Sequence, residues 1–244
     1  ENSTYAAIGL TNSHENEVTA NEIAGGQRGI FLRRANGNLV GLNKVEGTTT
    51  QGIYLVGAEE TSVEDNEVTG TGVTNYSNGI AVISLRDEDE NIVVASGENV
   101  IKGNTIEGNQ NGIAILQGST GDKIIQNEIA DNVIDEGKWY GVGIGLSRNS
   151  ETKIERNEIT GHIKGIVHYY TPKEGEADHN ANYNDITGNE EFGVLNETDE
   201  QFDATENWWS HASGPYHPEK NPEGEGNQVS DNVEFEPWKE GSTD

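Results

Sequence analysis

The feature that most constrains this chain is a repeat. Asn-x-Ile or Asn-x-Val occurs at Asn21, Asn43, Asn66, Asn104, Asn127, Asn157 and Asn184, and Asn207-Trp-Trp209 continues the series. The residue three places before each Asn is apolar: Val18, Val40, Val63, Ile101, Ile124, Ile154, Ala181 and Ala204. A second anchor, Gly-Ile-x-Leu or a close relative, begins at Ile30, Ile53, Ile80, Ile113, Ile144, Ile166 and Val194, with Ile8 opening a first copy that lacks the Gly. Anchor and Asn are separated by 13, 13, 13, 24, 14, 13, 18 and 13 residues, and successive Asn residues by 22 or 23 wherever nothing is inserted. A period that holds along the chain makes residues 1–244 one repeat domain rather than two globular ones.

Within a copy the apolar residues alternate, as in Ile53/Leu55, Val63 and Val68, in short pieces broken by Gly and Asn. Period 2 in short segments means strands. Three short strands and three turns make one coil of a solenoid whose inward Ile, Val and Leu stack on the coils above and below. The expected fold is all-β: a right-handed parallel β-helix of about eight coils over about 5–206. The repeated Asn is expected at a turn, in left-handed geometry, with its amide bonded to the same Asn one coil on. A leucine-rich repeat shares the Ile-x-x-Asn-x-Ile ending. It lacks support here, because Leu-x-x-Leu-x-Leu is missing and Gly stands where a helix would run.

Composition agrees with a thin core. The apolar fraction is 32% and Gly supplies 31 of 244 residues. Acids outnumber bases 43 to 15, for a net charge of −28 spread over the whole chain. Such a surface repels nucleic acid and anionic membranes. In molar salt the Debye length falls to about 3 Å and the self-repulsion is screened, so the pattern points to a high-salt, extracellular or cell-surface setting. Cys and Met are both absent, so no disulfide framework exists, and the missing initiator Met suggests a mature or excised segment. No apolar run approaches a membrane span. Sequons at Asn2, Asn75 and Asn196 permit glycosylation.

The repeat resembles the right-handed parallel β-helix families, including the NosD-like and the carbohydrate-binding and sugar-hydrolysis groups, in a secreted, haloarchaeal type. The resemblance runs from about Tyr5 to Trp238. It is most specific at 206–218, Glu-Asn-Trp-Trp-Ser-His-Ala-Ser-Gly-Pro-Tyr-His-Pro, where the usual Trp-Trp-Gly reads Trp-Trp-Ser. It implies a surface module, structural or recognising a glycan or partner. The alternative it implies is a polysaccharide lyase, epimerase or glycoside hydrolase.

Lyases and epimerases of this fold use a base beside carboxylates that hold Ca²⁺ or a uronate. The residues here that match in type are Lys164, His168, Tyr169, Tyr170 and Arg148, near Glu174, Glu176 and Asp178. The acidic charge and the absence of a lyase signature favour a non-catalytic module. His162, His168 and His179 lie around one coil, and NosD-like proteins are associated with copper. Without tight ligand spacing, Cys or Met, no metal site is expected from them. Ca²⁺ is admitted at Asp87–Glu90 and Asp199/Asp203, though solvated loops explain both. No organic cofactor is implied.

Two further surfaces stand out. The positions one and three beyond each Ile anchor point outward and are apolar in the middle coils: Phe31, Tyr54, Val56, Ile83, Leu116 and Tyr169 are the candidate ligand or partner face. The insertion at 86–99 is expected to fold over part of it. At the C-terminal end, Trp208, Trp209, Pro215, Tyr216 and Trp238 read as a cap over 207–238 that covers core and strand edges. No helix or aromatic plug precedes Ile8, so residue 1 is expected not to be the natural start of the folded unit.

Overall fold

A computed structural model describes residues 5–72, 77–89, 91–133, 140–172 and 175–242. Among them are no helices, and the strands form three long parallel sheets. The first sheet stacks eight strands, from Ile8–Thr11 through Asn78–Ile83 and Lys164–Tyr170 to Phe192–Asn196. The second stacks nine short strands from Glu17–Thr19 to Val233–Glu234, and the third seven from Glu22–Ala24 to Asp185–Thr187. Each coil visits the sheets in order, so the chain forms the eight-coil parallel β-helix expected from the repeat.

Every sequence anchor lands in register on its copy one coil away. Ile30, Ile53, Ile80, Ile113, Ile144, Ile166 and Val194 stack in the first sheet. Val40, Val63, Ile101, Ile124 and Ile154 stack in the second, and Val45, Val68, Ile106, Ile129 and Ile159 in the third, all fully buried. Burying each such side chain contributes roughly 1.5–3 kcal/mol, which is how a chain this polar still folds. The Gly before each Ile keeps the coils close: a Cβ on Gly52 would lie 2.6 Å from the carbonyl oxygen of Gly79.

The Asn anchors form one continuous ladder. The Asn127 Nδ2 donates to Oδ1 of Asn157 at 2.9 Å and to the Ile101 carbonyl at 2.9 Å, while its own Oδ1 accepts the Asn104 amide and backbone N–H. The same pattern runs from Asn21 to Asn207. The residue in left-handed geometry is the one before each Asn, not the Asn itself: Ala20, Leu42, Asp65, Gln126, Arg156, Tyr183 and Glu206 carry φ of 54–61°, and Gly103, at 67°, is left-handed too. The Asn is instead the buried partner that satisfies the turn's amides.

Two further ladders flank this one. After the third sheet run Thr48, Thr71, Asn109, Asn132, His162, Asn189 and Asn227. Before the second sheet, Asn16 bonds to Asn38, Thr61 to Asn99, and Asn99 to Asp122. Burial pushes the Asp122 carboxyl up to about 6, against the donors Ser119 and Asn99 that favour its charged form.

The segment 207–238 closes the C-terminal end. Trp209 is fully buried at the core position that Ile186 holds one coil earlier, and Phe235 and Trp238 pack beside it. Trp238 Nε1 donates to the Ala212 carbonyl, Pro215 is buried, and Trp208 donates its backbone N–H to Asn184. Tyr216 departs from the cap assignment, since its side chain faces solvent. At the other end Tyr5 packs edge-on against Phe31 at 5.3 Å, so an aromatic does precede Ile8.

Candidate functional site

The loops show which face is specialised. Between the second and third sheets the connection is always two residues, the left-handed residue and its Asn, from Ala20-Asn21 to Tyr183-Asn184. All the long insertions fall at the two ends of first-sheet strands: 70–77 and 131–141 before them, 84–99 and 171–179 after them. A scaffold that varies only around one sheet places its binding surface there.

On the outer face of that sheet, three successive coils carry small residues in one column: Ala81, Ala114 and Gly145, paired in register. A groove of about 310 Å³ lies over Ala114 and Gly145, its rim including Asn111, Leu116, Gln117, Arg148, Tyr169 and Tyr170. Among the described residues no Asp or Glu lines it, in a chain with 43 acids. The Arg148 guanidinium stacks on the Tyr170 ring at 5.5 Å, and among the described residues no carboxylate pairs with it.

A β-bulge builds one end of the groove. Leu146 pairs with His168 but Ser147 pairs with Tyr170, so Tyr169 is an extra residue. Bulges re-aim side chains. Tyr169 turns onto Val142 and Val167, and its ring lies 3.5 Å from where a Cβ on Gly145 would be. Burial raises the Tyr169 hydroxyl above its ordinary range, so it stays a neutral hydrogen-bonding group.

The candidates thus divide. Arg148, Tyr169, Tyr170 and Leu116 meet at the groove. Lys164 does not: its ammonium is bound to Glu191 at 2.9 Å. His168 takes the inward position of the Leu column and stacks edge-on against His179 at 4.9 Å inside the core. Glu176 and Asp178 are exposed and line no part of the groove, and Glu174 lies outside the described residues. Phe31 and Tyr54 form a separate cluster on the same face, with the Arg28 guanidinium 5.0 and 5.1 Å from their rings. Phe31 and Val56 are buried rather than displayed, and Ile83 is half-buried outside the groove lining.

The insertion at 86–99 does not cover the face as expected. It forms a hairpin, Leu85–Arg86 with Ile92–Val94, that stands at the turn edge. Val94 packs over Gly57 and Ile92 over Gly118, each where a Cβ on the glycine would collide with it. Its acids serve the loop: Asp87 accepts the Asn91 and Asp89 backbone N–H groups, which hold its carboxyl below the usual range. Asp203 likewise accepts from Thr205 and Asn182. The sequon at Asn196 is closed to modification, because that amide is buried and donates to the Glu200 and Asn232 carbonyls. Asn2 and Asn75 lie outside the described residues.

Two sequence comparisons and several structural ones agree with this architecture. The chain belongs to the right-handed parallel β-helix class: residues 69–208 match the family described as right handed beta helix region. Residues 1–136 match the family described as periplasmic copper-binding protein (NosD), so the chain is a member of the NosD family. No curated protein sequence matches it. An alginate lyase from Paenibacillus sp. superposes with a TM-score of 0.68 at 16% identity, covering 93% of this chain and 79% of the lyase. The periplasmic alginate epimerase AlgG gives 0.63 at 17%, covering 90% of this chain and 50% of the epimerase. A GH87 alpha-1,3-glucanase from Streptomyces thermodiastaticus gives 0.59 at 17%, covering 96% and 51%. At these identities the likeness is one of fold.

Among the described residues, the histidines around this coil do not bring together a donor set that fits a copper ion. His162 is spent as a ladder rung: its Nε2 accepts from Asn132 at 3.1 Å and its Nδ1 donates to Asn189 at 3.0 Å. Burial takes it down to about 4. His179 uses Nδ1 to accept the Thr152 N–H. That leaves Nε2 of His168 and His179 without partners, two nitrogens with no third donor among the described residues, in a chain without thiol or thioether.

Proposed function

We propose that this β-helix is an extracellular or cell-surface module of a high-salt organism that recognises a glycan through the first-sheet groove without cleaving it. The observation that carries this reading is a groove lined, among the described residues, by no acid, with Ala114 and Gly145 on its floor, Tyr169 and Tyr170 on its wall and the Arg148 cation beside them. Sugar rings present apolar faces that stack on Tyr, and equatorial hydroxyls that amide and guanidinium groups bond. Glycoside hydrolysis needs two carboxyl groups flanking the scissile bond, and among the described residues none lines this groove. A periplasmic or outer location accords with the NosD family's description and with AlgG's.

The test is equilibrium binding to a panel of neutral and acidic oligosaccharides in high salt. Arg148→Ala and Tyr170→Ala should each weaken binding roughly tenfold, about 1.4 kcal/mol, with melting temperature unchanged. Equal affinity in both variants would refute the site. The second reading, a lyase or epimerase, draws on the Arg148–Tyr170 pairing and the alginate-acting neighbours. Turnover of alginate, with or without Ca²⁺, that is lost in Tyr170→Phe or Lys164→Ala would establish it.

The high-salt setting has its own test. On the third sheet Glu128, Glu158 and Asp185 occupy one outward column in register, so like charges stack along three coils. Screening should raise the melting temperature by about 10 °C between dilute buffer and about 2 M NaCl. Glu128→Lys should stabilise the protein in dilute buffer and lose that effect in salt. A salt-independent melting temperature would rule out the high-salt adaptation.

A further inference from the structure

We infer that the groove selects an oligosaccharide carrying one uronate among neutral units, because a single open guanidinium, Arg148, stands in it between acid-bearing flanks; the inference rests on the glycan reading above. Among the described residues that line the groove, Arg148 is the one charged side chain. The rest of the lining is apolar or neutral, with Asn111, Gln117 and Ser147 as polar groups beside the two tyrosines. The guanidinium lies 5.5 Å from the centre of the Tyr170 ring, and among the described residues no group accepts a hydrogen bond from it. Stacking occupies the face of a guanidinium and leaves its N–H edge, the fork that takes a planar carboxylate in two parallel bonds.

The backbone fixes where that edge stands. Arg148 holds the left-handed position of its turn, with φ of 54°. Its N–H donates to the Tyr170 carbonyl at 2.7 Å, and its carbonyl accepts the Gly118 N–H at 2.6 Å. The turn is clamped to the coils on either side, so cation and ring move as one unit. Gln117, in the same turn one coil earlier, adds a neutral amide on the rim.

The flanks limit how much negative charge the groove accepts. At the edge where its strands begin, Val142 is followed one coil on by Lys164, whose charge Glu191 already matches at 2.9 Å. At the tyrosine wall, the Glu197 charge acts on the Tyr169 hydroxyl. On the other side, the hairpin bearing the exposed Asp87, Glu88 and Asp89 packs Ile92 over Gly118, next to Gln117. One carboxylate therefore finds a partner. Further carboxylates on neighbouring units meet these acids and a chain of net charge −28. That repulsion acts over a Debye length of about 8 Å in physiological salt and only about 3 Å at 1 M. A polyuronate is thus disfavoured in a salt-dependent way, while the contact pair at Arg148 persists in salt.

Calorimetric titration of the full chain tests this with three four-unit ligands: xylotriose bearing one glucuronate, the methyl ester of that compound, and tetragalacturonate. At about 1 M NaCl the single acid should bind roughly tenfold more tightly than its ester, and in Arg148→Gln that preference should fall below about twofold. The affinity of tetragalacturonate relative to the single acid should rise roughly fivefold between about 0.15 M and 1 M NaCl. Equal binding of acid and ester overturns the inference and leaves the glycan reading standing. So does a preference that persists in folded Arg148→Gln, a ratio to tetragalacturonate that ignores salt, or binding of tetragalacturonate alone. Should the chain unfold in the dilute buffer, the acid and ester titrations at 1 M decide by themselves. Absence of binding by all three overturns the glycan reading and this inference with it.

Discussion

Replacing Asn127 by Ala should destabilise the protein by about 4 kcal/mol, the sum of several buried hydrogen bonds at about 1 kcal/mol each and the acceptors left dry. The amide of Asn127 donates to Asn157 and to the carbonyls of Ile101 and Ile125, and its oxygen serves both the side chain and the backbone of Asn104. All of this lies in the solenoid interior, where water cannot replace a lost partner. Asn21 makes the same contact to Asn43 at the exposed first coil, so Asn21→Ala should cost only about 1 kcal/mol. Denaturant melts of the two variants compare them directly. Equal, small losses would mean that the ladder follows the fold and does not hold it.

Acid should unfold the protein well before its carboxylates alone would. Burial takes His162 down to about 4 and His179 to about 3, and it lowers His168 as well despite the nearby Glu200. Unfolded histidine titrates near 6.5. The folded state therefore binds fewer protons, and the stability from keeping these rings neutral is complete above pH 6.5 and is lost as pH falls toward 4 and 3. At pH 4.5 the two histidines together account for about 5 kcal/mol of lost stability. Asp122 works the other way. Its raised value means the folded state holds a proton that the unfolded state has released, so its contribution is lost as pH rises from about 4 through 6. Asp122→Asn should add about 2–3 kcal/mol at pH 7 and leave a steeper acid limb. His162→Asn, which restores the ladder's commoner residue, should flatten that limb. A pH titration of denaturant midpoints checks both, and an acid limb unchanged in His162→Asn would contradict the assignment.

The fold was legible because the backbone writes its period into the sequence. Inward Ile and Val can be replaced by little else, and the Asn turn tolerates no change of length. The other two ladders were not legible, since Thr, Asn, Asp and His share a rung whenever each presents a donor or acceptor at the same height. His162 is one such rung, and nothing in the sequence set it apart from a surface histidine. The groove was hidden differently. Its floor holds residues with almost no side chain, Ala114 and Gly145, and a lack of bulk leaves no mark in a search for reactive groups. The Tyr169 bulge was masked by the insertion that follows it, because the 18-residue interval from Ile166 to Asn184 does not say where the extra residue sits. Arg148 and Tyr170 were readable as residue types, yet only the turn geometry after Ser147 stacks one on the other.

The first-sheet groove is the surface proposed to meet a glycan. Amide hydrogen exchange across the full chain, with and without a bound oligosaccharide, tests that most directly. Slowed exchange should be confined to 111–118, 142–148 and 169–170, with the Asn ladder side unchanged. Protection centred on the second or third sheet, or on the 207–238 segment, would contradict it.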